Sequence, residues 1–160
     1  MKNKIIGFDP ASVRNLGWSR VHTEDTKVVQ CEAGTFVISK VEEPWQSLWP
    51  IMQVVDDFLQ KESPDFVVVE QTKTFGGFIG GQVAGCMGVI LACCGKYGVD
   101  VKFVHPTHLK KILTGSGKAT KAQVKNAVIA EINKKFDSEH AYDAAAVILC
   151  YLSDEGDKSD

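Results

Sequence analysis

The hydrophobic and polar positions of the chain first fall into strand-like runs. Short runs rich in β-branched and aromatic residues, bounded by polar turn residues, are typical of strands in a sheet. Asp25 and Thr26 supply a turn between the second and third runs, which indicates a meander at the start of the fold. Five strands are predicted in all, over residues 4–9, 16–22, 27–38, 65–70 and 101–104.

The remaining apolar positions recur with helical spacing. Steps of three and four predict an amphipathic helix over residues 45–59, with Ser47 as its N-cap and Pro50 in its first turn. Four more helices are predicted, over residues 82–97, 107–113, 121–135 and 140–152. Strands and helices in this order predict an α/β fold built on a mixed sheet.

Composition adds the domain organisation. The chain has 160 residues, of which 44% are hydrophobic and 24% charged, as expected of a globular domain with a buried core. We predict a single domain over residues 1–152, followed by an acidic, disordered tail over residues 153–160. The first apolar run is too short for a signal peptide, and no stretch is long enough to span a membrane. These features predict a soluble, cytoplasmic protein.

Charge is distributed unevenly along the chain. The net charge of −2 argues against a polybasic nucleic-acid binder. Residues 102–135, however, hold eight lysines and a single acid, Glu131, for a local charge of +7, whereas the other 126 residues carry −9. The average therefore conceals a basic segment.

The cysteines predict core thiols. They lack CxxC spacing and fall largely in apolar helical stretches, which favours reduced, buried residues over a zinc site. The five cysteines are Cys31, Cys86, Cys93, Cys94 and Cys150.

Candidate metal ligands stand at the ends of predicted elements. Asp9 and Glu70 each end an apolar strand, so both would emerge at one sheet edge if those strands were adjacent and parallel. His140 and Asp143 share one face of the last helix. Converging acids repel one another unless a cation compensates them, and oxygen ligands with a neutral imidazole suit Mg²⁺ or Mn²⁺. The alternative is that each of these side chains is simply solvated, with Asp143 complementing the helix dipole.

The basic segment has features of a phosphate-binding surface. A turn at residues 115–117 would present free N–H groups before a helix whose lysines recur along one face. Such lysines position a nucleic acid more than they read its sequence, and a solvated basic face is the alternative. The candidate contacts are Lys110, Lys111, Lys118, Lys121 and Lys125.

A glycine-rich loop follows Glu70 directly. It contains Lys73 and the aromatic residues Phe75 and Phe78. Exposed aromatics beside a metal site can stack on unpaired bases or wedge a junction open. The alternative is that Phe78 begins the buried face of the next helix.

Together these motifs resemble the RuvC family of Holliday junction resolvases. The resemblance covers nearly the whole chain and implies an RNase H-like fold, with a mixed five-stranded sheet flanked by helices. It also implies a homodimer that acts on four-way and related branched DNA junctions. The motifs that carry it are GFDP at 7–10 with Leu16 and Gly17, VVVEQ at 67–71, GQVAG at 81–85, the segment 105–124 and HAYDAAAVILC at 140–150.

The resemblance further implies roles for individual residues. Asp9, Glu70 and Asp143 match the catalytic carboxylates of the family, and His140 matches the remaining metal-ligand position. Two Mg²⁺ ions per active site, or Mn²⁺ in their place, would support phosphodiester hydrolysis that leaves 5′-phosphate and 3′-hydroxyl ends, with Asp9 bridging the two ions. Lys121 matches a lysine near the scissile phosphate.

Further positions concern DNA contacts. Lys110 matches a lysine at the border of the active site. Ala11 stands where the family usually has glycine, and Lys73 stands where an aromatic residue is common, so a junction wedge falls to Phe75 or is weakened.

Two other functions compete with this interpretation. A branched-DNA binding or architectural protein with weak or no cleavage would keep the same fold. A nucleotide-binding protein of the actin and sugar-kinase type is disfavoured, because such proteins need two similar halves and about twice this length.

Overall fold

The computed structural model describes residues 1–71 and 78–157, in which five strands form one mixed sheet. The strands are β1 (Lys2–Asp9), β2 (Asn15–Glu24), β3 (Lys27–Val37), β4 (Phe66–Glu70) and β5 (Asp100–Val104). A short 3₁₀ helix, Pro44–Ser47, precedes the first α-helix. The helices are α1 (Leu48–Glu62), α2 (Phe78–Tyr97), α3 (Pro106–Thr114), α4 (Lys121–Ile132) and α5 (Glu139–Asp157).

The strand order in the sheet is β3-β2-β1-β4-β5. The first three strands form the predicted antiparallel meander, with Asp25 at a φ of 55° in the turn. Next to it, β4 pairs in parallel with both β1 and β5, and Phe8 lies opposite Val69. The predicted α/β fold is thereby confirmed, together with the parallel pairing of the two strands that end on carboxylates.

Helices cover both faces of the sheet. Successive strand residues point to opposite sides, so each inner strand contributes residues to two separate core clusters. Ile5 and Val68 belong to the core cluster that includes residues of α3, α4 and α5. Ile6 and Val67 belong to the opposite cluster, which includes residues of α1 and α2. The five cysteines are buried free thiols, as predicted. Among the described residues, no helix has the length and apolar character that a membrane span requires.

Small residues on β1 and β2 allow α5 to pack close against the sheet. A Cβ atom on Gly17 would overlap the carbonyl oxygen of His140, and one on Gly7 would overlap that of Ala144. The buried Ser19 hydroxyl donates a 2.6 Å hydrogen bond to the same Ala144 carbonyl. The first turns of α5 are therefore fixed directly above the ends of β1 and β2.

The prediction of a disordered tail is wrong for residues 153–157, because these residues continue α5. Leu152 is buried, so the apolar face of the helix extends to the point where the tail was expected to begin. Beyond it, the Ser153 hydroxyl donates to the carbonyl of Leu149, and Asp154 contacts His108 on α3. The contact with α3 and this local hydrogen bond hold a polar segment in helical conformation.

Other boundaries also differ from the predictions. The helix α4 ends at Ile132 rather than residue 135, because Asn133 adopts a left-handed conformation with a φ of 50°. The helix α2 begins at Phe78, four residues earlier than predicted. Ser47 holds the N-cap position of α1, but its buried hydroxyl makes no capping hydrogen bond.

Candidate metal and nucleic-acid site

Two carboxylates lie side by side at the carboxyl edge of the sheet. Asp9 ends β1 and Glu70 ends the adjacent, parallel β4. Alternate strand residues share a face, so Asp9 lies on the same face as Ile5 and Glu70 on the same face as Val68. Both of those apolar residues pack toward α5. The register of β1 and β4 and the shared face of their last residues therefore support the hypothesis that the two strand-end acids meet.

The first two turns of α5 add two further groups to this edge. The Nδ1 atom of His140 lies 3.0 Å from Oδ2 of Asp9. Ligand atoms of Asp9, His140 and Asp143 all lie within 4.8 Å of one another. Glu70 is outside this three-residue group but interacts electrostatically with both Asp9 and Asp143. Three of the four predicted ligands thus form one cluster, and the fourth borders it.

The electrostatics of this edge disfavour a full set of charged carboxylates. Burial raises the pKa of Glu70 to about 7, and the charges of Asp9 and Asp143 add to the rise. Burial also raises the pKa of Asp9, although its hydrogen bond to His140 opposes the change. Acids with raised pKa values in a partly buried cluster are typical of functional sites.

The donor set fits a divalent cation. Carboxylate oxygens are the ligands that Mg²⁺ and Mn²⁺ prefer, and imidazole is acceptable beside them. A cation among these groups would offset the mutual repulsion that contributes to the raised pKa of Glu70. The residues present therefore suit the metal that the sequence predicts.

Two of the predicted lysines reach the acidic cluster. Lys121 Nζ lies 3.0 Å from Oδ2 of Asp143, and the positive charges of Lys121 and Lys110 both lower the pKa of Glu70. Lys125 is instead paired with Glu139 at 2.6 Å and lies over the ring of Tyr142. The other two, Lys111 and Lys118, are exposed.

The turn before α4 differs from the predicted cradle of free N–H groups. The N–H groups of Gly115, Ser116 and Lys118 donate to oxygen atoms within the turn or the preceding helix. Thr120 and Gln123 form a capping box that satisfies further N–H groups at the start of α4. Positive potential in this segment therefore comes mainly from lysine side chains.

Two predicted DNA contacts, Lys73 and Phe75, lie outside the described residues. Phe78 is the first residue of α2.

Three residues that position the site were not predicted: Gly7, Gly17 and Ser19. Their role is to admit the backbone of α5, which carries His140 and Asp143. A glycine inside a strand indicates close approach by another backbone, so the two glycines carried a signal. No comparable signal marks Ser19.

The sheet order, the carboxylates at its edge and the acidic residue on the covering helix together define an RNase H-like domain with a metal-compatible site. The family described as crossover junction endodeoxyribonuclease RuvC matches residues 5–151. The chain belongs to the RuvC family.

Individual relatives agree with this assignment. The chain is 26% identical to the Prochlorococcus marinus protein over 155 residues, covering 96% of this chain and 98% of the relative. It is 28% identical to the Rickettsia typhi protein over 150 residues, covering 93% and 95%. Both carry the family description. Thermus thermophilus RuvC, solved in complex with Holliday junction substrate, is 23% identical, with a TM-score of 0.84 and coverage of 98% of this chain and 97% of that one.

Proposed function

We propose that this chain is a structure-selective endodeoxyribonuclease of DNA recombination and repair. Its substrates would be four-way Holliday junctions and related branched DNA. The observation that carries the proposal is the cluster of Asp9, His140 and Asp143, bordered by Glu70, in a chain of the RuvC family. A structural neighbour solved with a Holliday junction substrate supports the choice of DNA. We assign the activity to one domain that includes α5 to its end.

The metal ligands in this proposal are the four clustered residues. Asp9 interacts electrostatically with both Glu70 and Asp143, so it would help to hold both Mg²⁺ ions, for which Mn²⁺ would substitute. Glu70 would serve one ion, and Asp143 with His140 the other. When bound, the ions would activate a water molecule and stabilise the departing 3′ oxygen.

The products follow from the bond that breaks. Attack of water oxygen on phosphorus with loss of the 3′ oxygen leaves a 5′-phosphate on one strand end and a 3′-hydroxyl on the other. Lys121, already beside Asp143, would neutralise the charge that builds on the phosphate. Lys110, which lies close enough to lower the pKa of Glu70, would contact the DNA backbone at the border of the site.

The remaining DNA contacts are assigned to exposed positive charge. Lys111 and Lys118 are exposed and can contact phosphates. Lys125 would first have to leave its ion pair with Glu139. Lys73 and Phe75, in the segment after Glu70, are proposed to contact the junction itself. Such contacts neutralise phosphates and position the duplex arms without reading base sequence.

A homodimer is part of the proposal, since resolution of a four-way junction requires two symmetric cuts. Trp45, in the 3₁₀ helix before α1, and Trp49, at the start of α1, support it, with 69% and 63% of their surfaces exposed. Leu91 is also exposed on α2, the helix that packs beside α1. Exposed large apolar side chains on neighbouring helices are typical of protein interfaces. We expect sedimentation of the full chain to give a dimer, and Trp49→Glu to shift it toward monomer.

The decisive test is Asp143→Asn on a synthetic four-way junction, with binding and cleavage measured together. Asp143 is partly exposed, so the amide should be tolerated and junction binding retained while cleavage in Mg²⁺ is lost. Asp100→Asn, at an acid with an 81% exposed side chain, is the matched control and should cleave normally. Wild-type binding without cleavage in either Mg²⁺ or Mn²⁺ would contradict the proposal and indicate a branched-DNA binding protein.

A further inference from the structure

A second cluster of potential metal ligands lies away from the carboxyl edge of the sheet. It consists of His108 on α3 and of Cys150 and Asp154 on α5, whose ligand atoms all lie within 4.8 Å of one another. The Nε2 atom of His108 is 2.9 Å and 2.8 Å from the two carboxylate oxygens of Asp154. These three residues play no part in the proposed cleavage reaction.

The backbone holds the cluster in place. Cys150 and Asp154 are four residues apart on α5 and therefore lie on the same helical face. The helix α3 packs directly against α5 and supplies His108 from the opposite side. Cys150 is fully buried, whereas His108 and Asp154 are partly exposed above it, with 46% and 31% of their side chains accessible. A cation can therefore approach through the polar pair and meet the sulfur beneath.

The charges around the thiol favour a cation. The carboxylate of Asp154 and the sulfur of Cys150 lie within 4.8 Å of each other, and the sulfur is buried. A carboxylate beside a buried sulfur is unfavourable to the thiolate unless positive charge lies between them. A divalent metal ion supplies that charge and is bound by thiolate, imidazole and carboxylate together.

We propose that His108, Cys150 and Asp154 form a second metal site, specific for a borderline transition-metal ion such as Zn²⁺. Nitrogen, sulfur and oxygen donors match the ligand types that zinc accepts, and a water molecule would complete tetrahedral coordination. On binding, the S–H bond breaks, the sulfur keeps the electron pair and bonds to the metal, and the proton leaves to solvent. His108 contributes the lone pair of Nε2.

The site would link the two helices that carry DNA-binding and metal-binding residues. The helix α3 holds Lys110 and Lys111, and α5 holds His140 and Asp143. Its ligands are far apart in sequence, which is why cysteine spacing predicts no zinc site. The third donor, Asp154, is positioned only because α5 continues past residue 152.

Cobalt titration of the full chain tests the proposal, because a thiolate bound to Co²⁺ gives a charge-transfer band that oxygen and nitrogen ligands do not. The carboxylates and imidazole of the catalytic cluster can bind Co²⁺ but contain no sulfur. We expect the band to saturate at one Co²⁺ per chain and to disappear on addition of Zn²⁺. Cys150→Ala should abolish it, and the matched control Cys31→Ala, at another buried thiol outside the cluster, should retain it.

Substitutions at the two partly exposed ligands keep the test valid if Cys150→Ala does not fold. His108→Ala and Asp154→Asn should each weaken Co²⁺ binding by at least about 10-fold, whereas His22→Ala, on β2, should not change it. His108→Ala should keep wild-type cleavage in Mg²⁺, because the cluster is separate from the catalytic residues. Absence of the band, its persistence in Cys150→Ala, or unchanged affinity in both exposed variants would overturn the proposal.

Discussion

Lys121 Nζ lies 3.0 Å from Oδ2 of Asp143, so the lysine assigned to the scissile phosphate is paired with a proposed metal ligand. The hydrogen bond and charge of Asp143 raise the pKa of Lys121. The lysine side chain is 72% exposed, and an ion pair of this kind contributes little to folding. If Asp143 binds a metal ion as proposed, Lys121 can exchange the carboxylate for a phosphate at small cost.

Lys121→Met should slow cleavage far more than it weakens binding. Loss of one group that stabilises transition-state charge costs about 10²- to 10³-fold in rate. The measurement is single-turnover cleavage of a four-way junction at saturating protein, alongside the junction Kd.

Lys118→Met is the matched control, because Lys118 is exposed in the same basic segment. It should reduce the salt dependence of binding by about one unit of log–log slope and leave saturated cleavage near normal. A Lys121→Met protein that cleaves at the wild-type rate would remove Lys121 from the mechanism.

Metal binding should release protons near neutral pH. In the metal-free protein the pKa of Glu70 is raised to about 7, so a large share of Glu70 is protonated there. A cation competes with that proton, and apparent Mg²⁺ affinity should fall as pH drops through about 7. Calorimetric titration in two buffers of different ionisation enthalpy measures the number of protons released.

Glu70→Gln serves as the control and gives a second observable. An acid with a raised pKa stabilises the fold below its unfolded value, and this contribution is lost as pH rises through about 7. Metal-free wild type should therefore become more stable on acidification from about pH 8 to about pH 6. At the higher pH, Glu70→Gln should be more stable than wild type by about 1–2 kcal/mol. Equal proton release by both proteins would show that another group titrates.

Much of the fold followed from local pattern, because buried strands and amphipathic helices have distinct periods. In the sequence, β1 and β4 each stand out as an apolar run that stops at an acid, Asp9 for β1 and Glu70 for β4. Their proximity needed only parallel pairing, which is common in α/β folds.

Features that depend on tertiary packing were not predictable in the same way. Residues 153–157 are polar, and α5 continues through them because of contacts that include His108 on another helix. In the turn before α4, the N–H groups of Ser116 and Lys118 are satisfied by local side chains, which a glycine-rich pattern does not show. The cluster of His108, Cys150 and Asp154 likewise arises only when α3 meets α5.

The buried ion pair of Glu62 with Arg20 should make a large contribution to stability. The Glu62 side chain is 5% exposed and accepts a 2.7 Å hydrogen bond from Arg20. Glu62→Gln keeps a hydrogen-bond acceptor but removes the negative charge, which leaves Glu32 as the charged partner of Arg20, and should cost about 1–3 kcal/mol in the free energy of unfolding. Asp56→Asn, which breaks the more exposed pair with Lys96, should cost much less. Chemical denaturation at neutral pH compares the two variants.

The same pair predicts acid sensitivity. Burial raises the pKa of Glu62, but the hydrogen bond and charge of Arg20 outweigh it and hold the pKa below its usual range. The contribution of a group with a lowered pKa is present above the unfolded value and is lost as pH falls through the folded one. Wild type should therefore lose more stability than Glu62→Gln between neutral pH and about pH 3. Parallel loss in both proteins would assign the acid sensitivity to other carboxylates.

Gly17→Ala should damage the site by displacing its ligands, although Gly17 itself has no metal-binding side chain. The added methyl group would overlap the carbonyl oxygen of His140 and crowd Cβ of Asp9, so the first turn of α5 must move away from the sheet. Overpacking of this kind costs about 1–3 kcal/mol. Because His140 and Asp143 would move with the turn, Mg²⁺ affinity and cleavage should fall more than junction binding. Gly88→Ala, at a position in α2 with open space around it, should instead add about 0.5–1 kcal/mol of stability. Normal cleavage by a folded Gly17→Ala protein would mean that the site tolerates displacement of α5.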